Sequence, residues 1–317
     1  MPNAPTPAAA QPMPADIATQ AELVELIAQG QDAYVVIGNP IAHSRSPAIH
    51  QHFAQLTGQR LVYARCLSPL EGFAQTLDSL RQHGIKGCNI TVPFKHQAAQ
   101  LASQCDARVQ LAQAANTLVL NGPQGPVQAF NTDGLGLVRD LCDNARLCLA
   151  GAHILLLGAG GAAAGALAPL LQVGPASLHI ANRSAERAQA LAQRHAALAA
   201  EHGVQLQALA LDEIDHTPLP AMQLLINATA SSLQGAALPI QNLARLLAPG
   251  ALAYDMMYGA AAQPFLQWVS SQGQNVRTRD GLGMLVEQAA ESFALWRGLR
   301  PPSAPVLAAL RQQISAP

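Results

Sequence analysis

Aromatic residues make up only 4% of the 317-residue chain, although half of all residues are hydrophobic. Alanine and leucine must therefore fill most of the interior, at a length that supports two domains with cores of their own. Cysteine is sparse: Cys66, Cys88, Cys105, Cys142 and Cys148 are scattered, with no CxxC pair. An odd, unpatterned set excludes a disulfide framework and reads as reduced thiols of a cytoplasmic protein. The ten histidines contain no cluster with zinc-ligand spacing, so no metal is expected. No basic block is present and the net charge is −1, which argues against nucleic acid or an anionic membrane as partner. The segment from Met1 to about Ala15 is rich in Pro and Ala. It lacks a basic start followed by an apolar core, so it is neither a signal peptide nor a membrane span. Residues 1–30 read as a flexible leader, with a short helix over Ile17–Gln29.

What is there is alternation. Short apolar runs interleave with longer amphipathic ones, the pattern of α/β architecture. In the first part, strands are expected at Ala33–Ile37, Arg60–Cys66, Gly87–Val92, Ala115–Leu120 and Val127–Phe130. Helices are expected at Pro47–Leu56, Pro69–Gln82, Lys95–Ser103 and Ala107–Ala112, with Pro47 and Pro69 in first turns. Asn131–Asn144 reads as a connection whose latter part is helical. A second series begins at His153 with the continuous apolar run Ile154-Leu155-Leu156-Leu157, as a buried parallel strand requires. Further strands fit Ser177–Ala181, Gln205–Ala210, Met222–Ile226 and Leu252–Asp255. Helices fit Ala185–Glu201, Ile240–Leu247, Pro264–Ser271, Leu282–Arg297 and Ala304–Ile314.

Two segments carry chemistry. Gly158-Ala159-Gly160-Gly161-Ala162-Ala163 follows the buried strand and opens a helix. Gly158 allows the turn, Gly160 lets a pyrophosphate approach the backbone, and the helix from Gly161 offers free N–H groups. An NAD site usually ends the next strand with Asp or Glu to accept from the ribose 2′-OH. Here that strand ends Ala181-Asn182-Arg183-Ser184-Ala185-Glu186-Arg187. Arg183 and Arg187 match a 2′-phosphate, and Ser184 suits an N-cap, so the cofactor is expected to be NADP. In the other segment, Asn89-Ile90-Thr91-Val92-Pro93-Phe94-Lys95, strand alternation puts Asn89 and Thr91 on one face. Lys95 falls at a helix start, where a cation works against the macrodipole. It is a poor structural choice there and a candidate proton carrier.

Three further polar clusters complete the set: Asn39-Pro40-Ile41-Ala42-His43-Ser44-Arg45-Ser46-Pro47, Asn131-Thr132-Asp133-Gly134, and Gly281-Leu282-Gly283-Met284-Leu285-Val286-Glu287-Gln288. With the Lys95 segment and the glycine loop, these runs resemble the shikimate dehydrogenase family from about Tyr34 to the C-terminus. The resemblance implies two α/β domains. A substrate domain would combine residues 31–133 with 281–317, its C-terminal helices returning to the first part. A Rossmann-type NADP domain would span 134–280. Lys95 and Asp133 would be the catalytic pair, although Asp133 alone equally suits a helix N-cap. Ser44 and Ser46 would bind the substrate carboxylate, with capping compatible for Ser46. Asn89, Thr91, Asn116 and Gln288 would contact the substrate, and Tyr258 would lie near its carboxylate. Met256 and Gly281 would line the nicotinamide, beside Gly158, Ala159, Gly160, Gly161, Ala162, Asn182, Arg183, Ser184 and Arg187 for the rest of the cofactor.

The chain departs from the family pattern at Ala164, where arginine is frequent, at Ala230, where serine is frequent, and at Ala114, where the motif has glycine. The implied reaction is the NADPH-dependent reduction of 3-dehydroshikimate to shikimate. The alternatives are a quinate/shikimate dehydrogenase of relaxed specificity and a silent NADP-binding regulator. The partner is then a small molecule, and a homodimer is compatible with the sequence without being specified by it.

Overall fold

The computed structural model describes residues 30–229, 239–272 and 275–315. The leader with its expected helix over Ile17–Gln29, and Ala230 and Ser231, lie outside them. Two six-stranded sheets organise the rest. The first contains β1 (Asp32–Gly38), β2 (Leu61–Leu67), β3 (Gly87–Ile90), β4 (Gln104–Cys105), β5 (Thr117–Leu120) and β6 (Val127–Phe130), in the order β2-β1-β3-β5-β6-β4. It is mixed: β1 runs parallel to β2 and β3, while β5 is antiparallel to β3 and β6. Its helices are α1 (Ser46–Thr57), α2 (Phe73–Gln82), α3 (Lys95–Leu101) and α4 (Ala107–Ala112).

After α5 (Asp133–Arg139), which continues into one π-helical turn at Asp140–Asn144, the second sheet begins. Its strands are β7 (His153–Leu157), β8 (Ser177–Asn182), β9 (Gln205–Ala210), β10 (Met222–Asn227), β11 (Leu247–Asp255) and β12 (Arg277–Asp280). All run parallel, in the order β12-β11-β10-β7-β8-β9. The first strand of this layer, β7, thus lies in the middle, and the strand order reverses beside it, as in doubly wound dinucleotide folds. Ile154, Leu155, Leu156 and Leu157 are all fully buried. At ~1.5–3 kcal/mol for each such side chain, this one strand anchors the layer. The accompanying helices are α6 (Gly161–Gln172), α7 (Ala185–Glu201), α8 (Leu243–Leu246) and α9 (Gln263–Ser271).

The last two helices, α10 (Leu282–Arg297) and α11 (Ala304–Ser315), return to the first sheet. Leu282, Val286, Phe293, Val306 and Leu310 share a buried cluster with Val36, Phe53 and Tyr63. Inside that cluster His50 stacks on Tyr63, ring centroids 4.3 Å apart, with Phe53, Phe293 and Trp296 around it. The few aromatic residues are therefore concentrated where the chain's end meets its beginning.

Several boundaries differ from the sequence expectations. β3 stops at Ile90, and Thr91 opens a turn in which the Phe94 amide donates to the Thr91 carbonyl (3.0 Å). Pro93 has no N–H with which to continue a ladder. Pro69 lies in a turn closed by the Gly72 amide (3.0 Å), and α2 starts only at Phe73. Most of the helix expected over Ile240–Leu247 is replaced by a single turn, because Leu247 already pairs with Met222 in the sheet. β4 and β12 were not anticipated. Each is short, and β12 (Arg-Thr-Arg-Asp) has no apolar residue to mark it as a strand.

Connecting helix α5 is wedged between α6 and α10 through glycine. A Cβ on Gly134 would stand 2.4 Å from the Gly165 carbonyl oxygen, and one on Gly136 would stand 2.6 Å from the Gln288 amide nitrogen. Both obstacles are backbone, so neither can swing aside. Gly134→Ala should therefore destabilise by about 1–3 kcal/mol net, despite the better helix propensity of alanine. A lower urea midpoint, with reduced turnover as Asp133 shifts, is the expected result.

His50 supplies a second prediction. Burial holds its imidazole down to about 3, from an ordinary value of 6.5. The unfolded chain takes up that proton and the folded chain does not. This contribution to stability is therefore complete above pH ~6.5 and is lost as pH falls toward ~3, by about 1.4 kcal/mol per pH unit. His50→Phe should shrink the difference in unfolding free energy between about pH 7 and about pH 5 by about 2 kcal/mol.

Candidate active site

Lys95 is the first residue of α3, and no acidic residue stands in that helix's first turn. Its ammonium is met instead from across the chain: Nζ donates to Asp133 Oδ2 at 2.5 Å. The lysine side chain is one-fifth exposed, whereas Asp133 is buried. The pair therefore has one face toward solvent. The Lys95 carbonyl accepts from the Ala115 amide (2.9 Å), which fixes the start of α3 against the segment carrying Asn116.

Asp133 does not cap α5. It is already the first helical residue, and its own amide donates to Asn131 Oδ1 (3.2 Å). Its carboxylate is thereby left for other work: Oδ1 accepts from Asn116 Nδ2 (2.8 Å) while Oδ2 takes Lys95. Asn116 Oδ1 in turn accepts from the Thr132 amide (2.8 Å) and from the Thr117 hydroxyl (3.1 Å). Asn116 Nδ2 also reaches Gln288 Oε1 (3.1 Å), on α10. Lys95, Asn116, Asp133 and Gln288 thus form one bonded group, drawn from four separate segments.

Asn89 sits behind that group. Its Oδ1 accepts from the Tyr63 hydroxyl (2.7 Å), and its Nδ2 donates among the Asn116 carbonyl, Thr117 Oγ1 and Ser292 Oγ (3.2, 3.1 and 3.0 Å). The carboxamide is buried and engaged by protein on every side. It lies beneath Asn116, to whose carbonyl it donates. Thr91 lies one residue past β3, its amide still donating to the Ile37 carbonyl of β1 (2.9 Å). Thr91 places its methyl against Gly38 and Ile41 at the end of β1, and its hydroxyl has no hydrogen bond among the described residues.

Ser44 and Ser46 flank Arg45 at the start of α1. The Ser46 amide donates to Ser44 Oγ (3.3 Å), while the N-cap of α1 is Arg45, which makes no side-chain capping bond, so Ser46 does not cap the helix. Arg65 grips the Ser44 carbonyl through Nε and Nη2 (3.0 and 2.5 Å) and fixes the loop from beneath. Tyr258 is brought toward this loop. Burial pushes its phenol up, against the pull of the nearby Arg45 guanidinium, so it remains a neutral O–H donor.

The dinucleotide loop follows β7. Gly158 holds φ +107° while its amide donates to the Ala181 carbonyl (2.7 Å), a conformation that favours glycine. A Cβ on Gly160 would meet nothing within 4 Å, and α6 opens at Gly161 without a side-chain cap. The space and the free N–H groups suit a pyrophosphate. Ala159 packs against the core beside the loop, and Ala162 lies in the first turn. Ser184 caps α7 by accepting from the Arg187 amide (3.3 Å), as its position predicted. Asn182 Nδ2 donates to the Ser184 carbonyl (2.9 Å) and closes that turn. Arg183 and Arg187 are exposed, and neither guanidinium has a hydrogen bond or ion pair among the described residues. The donor set fits a 2′-phosphate. The Glu186 carboxylate is engaged by the Ser184 hydroxyl (2.7 Å), which holds it below its usual range.

Met256 and Gly281 are adjacent: a Cβ on Gly281 would stand 2.4 Å from the Met256 carbonyl oxygen. Gly281 immediately precedes α10, so Gln288 follows ~10 Å further along the same helix. One helix thus links the expected nicotinamide wall to the substrate group.

Ala164 is buried in the core of the second layer. Tyr63, Thr117, Thr132 and Ser292 escaped the sequence reading. Ser292 was within reach of it, being one helical turn after Gln288, to whose carbonyl its hydroxyl donates (3.0 Å). Tyr63 left no local signal. Among the described residues no helix is long and apolar enough to cross a membrane, and no group of three or more His, Cys, Asp and Glu could hold a metal ion.

Comparison with known proteins places this geometry. Residues 36–118 match the shikimate dehydrogenase substrate binding domain, 140–241 the shikimate / quinate 5-dehydrogenase family, and 281–311 the shikimate 5′-dehydrogenase C-terminal domain. The shikimate dehydrogenase (NADP(+)) of Acidovorax sp. strain JS42 is 59% identical over 285 residues, covering 90% of this chain and 98% of that protein. The crystal structure of an Ael1 enzyme from Pseudomonas putida is 42% identical with TM-score 0.80, covering 90% of this chain and 99% of that one. The shikimate 5-dehydrogenase of Thermus thermophilus, solved with NADP(H) and shikimate, is 30% identical with TM-score 0.71, covering 89% and 99%.

Ser292→Ala tests the buried network. It removes the hydroxyl shared by Asn89 and Thr117 without touching the Lys95–Asp133 pair. A loss of about 1–3 kcal/mol in urea unfolding is expected, because buried polar partners are left unmatched.

Proposed function

The chain belongs to the shikimate dehydrogenase family, and on that premise we propose that it reduces 3-dehydroshikimate to shikimate with NADPH. The observation that carries this reading is the Lys95–Asp133 contact at 2.5 Å, steadied by Asn116, on a helix that packs directly on the helix of the glycine loop. NADPH supplies the hydride to the ring carbonyl carbon. Negative charge then builds on the carbonyl oxygen, and the Lys95 ammonium donates the proton that quenches it. In the reverse direction the neutral amine takes that proton from the alcohol. Asp133 orients the ammonium and stabilises its charge, and Asn116 fixes Asp133 through Oδ1.

Ser44, Ser46 and Tyr258 hold the substrate carboxylate with neutral hydroxyls, which orient it while leaving release easy. Thr91 and Gln288 contact the ring hydroxyls, while Asn89 supports Asn116 from behind. Arg183 and Arg187, with Ser184 between them, take the 2′-phosphate. Asn182 shapes that turn, and Gly158, Ala159, Gly160, Gly161 and Ala162 receive the pyrophosphate. Met256 and Gly281 face the nicotinamide. The substrate domain spans 31–133 and 281–317, and the NADP domain 134–280. The reading places the enzyme in the cytoplasm. All the named residues come from one chain, so a homodimer is compatible with it and not required by it.

NADPH oxidation by the purified protein with 3-dehydroshikimate tests the assignment, and no turnover at high enzyme concentration would sink it. Running shikimate and quinate with NADP and NAD in parallel reads out specificity. Lys95→Ala should lower kcat by about 10²–10⁴-fold while NADPH binding survives. An unchanged kcat with raised KM would make Lys95 a binding residue instead. Arg183→Ala should raise KM for NADPH by on the order of tenfold and leave that for NADH nearly unaltered.

A further inference from the structure

The structure carries one residue toward the cofactor that the motifs do not include. We propose that His96 closes the dinucleotide site from the opposite side of the cleft, donating from Nε2 to the cofactor pyrophosphate; this rests on the NADP reading above. His96 is the second residue of α3, beside Lys95, and is exposed. A Cβ built on Gly161, at the N-terminus of α6, would meet a single heavy-atom neighbour within 4 Å: His96 Nε2 at 3.9 Å. At Gly160 the same test finds open space. The histidine from the first layer thus roofs the slot whose floor is the glycine loop of the second.

The ring is held in that attitude. His96 Nδ1 lies 2.6 Å from the Gln113 carbonyl oxygen. A carbonyl only accepts, so Nδ1 is the donor and Nε2 is the nitrogen turned to the slot. Gln113 is itself fixed on two sides. Its side-chain Oε1 accepts from Arg194 Nη1 of α7 (2.6 Å), and its neighbours Ala112 and Ala114 are buried in one cluster with Ala163, Ala166 and Leu170 of α6. Buried packing and two hydrogen bonds set the distance from His96 to the loop.

A pyrophosphate seated on the N–H groups of α6 would turn its remaining oxygens toward this ring. Nε2 faces those oxygens as a donor, and the anionic phosphate makes the contact a charge-assisted bond. Lys95, the cation next to it, is already paired with Asp133. His96 is therefore the side chain of α3 that is placed to meet the phosphates.

The plain alternative is that His96 merely secures Gln113. Two isosteric changes separate the readings: His96→Asn keeps a donor at the Nδ1 position, and His96→Gln keeps one at the Nε2 position. Affinities for NADP, 2′-phospho-ADP-ribose and adenosine 2′-phosphate are measured by calorimetry on the full chain, with kcat at saturating NADPH alongside. The first two ligands carry the pyrophosphate and the third does not. His96→Asn should weaken NADP and 2′-phospho-ADP-ribose by on the order of tenfold and leave adenosine 2′-phosphate and kcat unaltered. His96→Gln should retain most of the affinity. Three results would overturn the inference: wild-type affinity in His96→Asn, equal weakening of all three ligands, or loss in His96→Gln alone. Absence of NADP binding by the unaltered chain would remove the dinucleotide reading itself, and this inference with it.

Discussion

An ammonium at the N-terminus of a helix is electrostatically misplaced, and Asp133 is what makes Lys95 tenable there. The macrodipole of α3 and the charge of Lys95 have the same sign, and α3 supplies no acidic residue of its own. The compensating carboxylate stands on α5, 38 residues later, and reaches the ammonium at 2.5 Å. Everything that fixes α5 therefore also fixes the Lys95–Asp133 pair. Gly134 and Gly136 let that helix lie against α6 and α10 at backbone distance, so the two layers and the returning C-terminus meet around a single carboxylate.

The buried polar network extends this control. Asn116, Thr117, Thr132, Asn89, Tyr63, Gln288 and Ser292 satisfy one another in the interior, where an unmatched donor or acceptor would be costly. Satisfied networks are rigid. Rigidity suits a site in which a proton must be delivered along one direction as a hydride arrives along another. Outside this network, the Thr91 and Tyr258 hydroxyls and the Arg183 and Arg187 guanidiniums have no hydrogen-bond partner among the described residues.

The dinucleotide layer was easy to read because its signals are local. A run of buried leucines, a glycine loop and a helix start are consecutive in the chain, and each follows from backbone geometry. The same holds for Ser184 as a cap. The substrate layer was read less fully. Asn89 and Thr91 looked equivalent by alternation, yet β3 ends at Ile90, between them. Tyr63 and Ser292, which complete Asn89, lie 26 and 203 residues away from it, and no periodicity reports such a separation. The edge strand β12 was missed because an edge needs little burial and its sequence is charged.

The sequence by itself determined the α/β alternation, the dinucleotide loop, the preference for a phosphorylated ribose and the placement of Lys95 at a helix start. Each depends on residues near one another in the chain, where strand alternation, helix dipoles and glycine conformation act. Only the tertiary structure decided that Asp133 pairs with Lys95 and does not cap a helix, that Asn89 is joined to Tyr63 and Ser292, and that His96 faces the glycine loop. Those outcomes rest on contacts between segments far apart in sequence, and such contacts are set by which buried surfaces pack together.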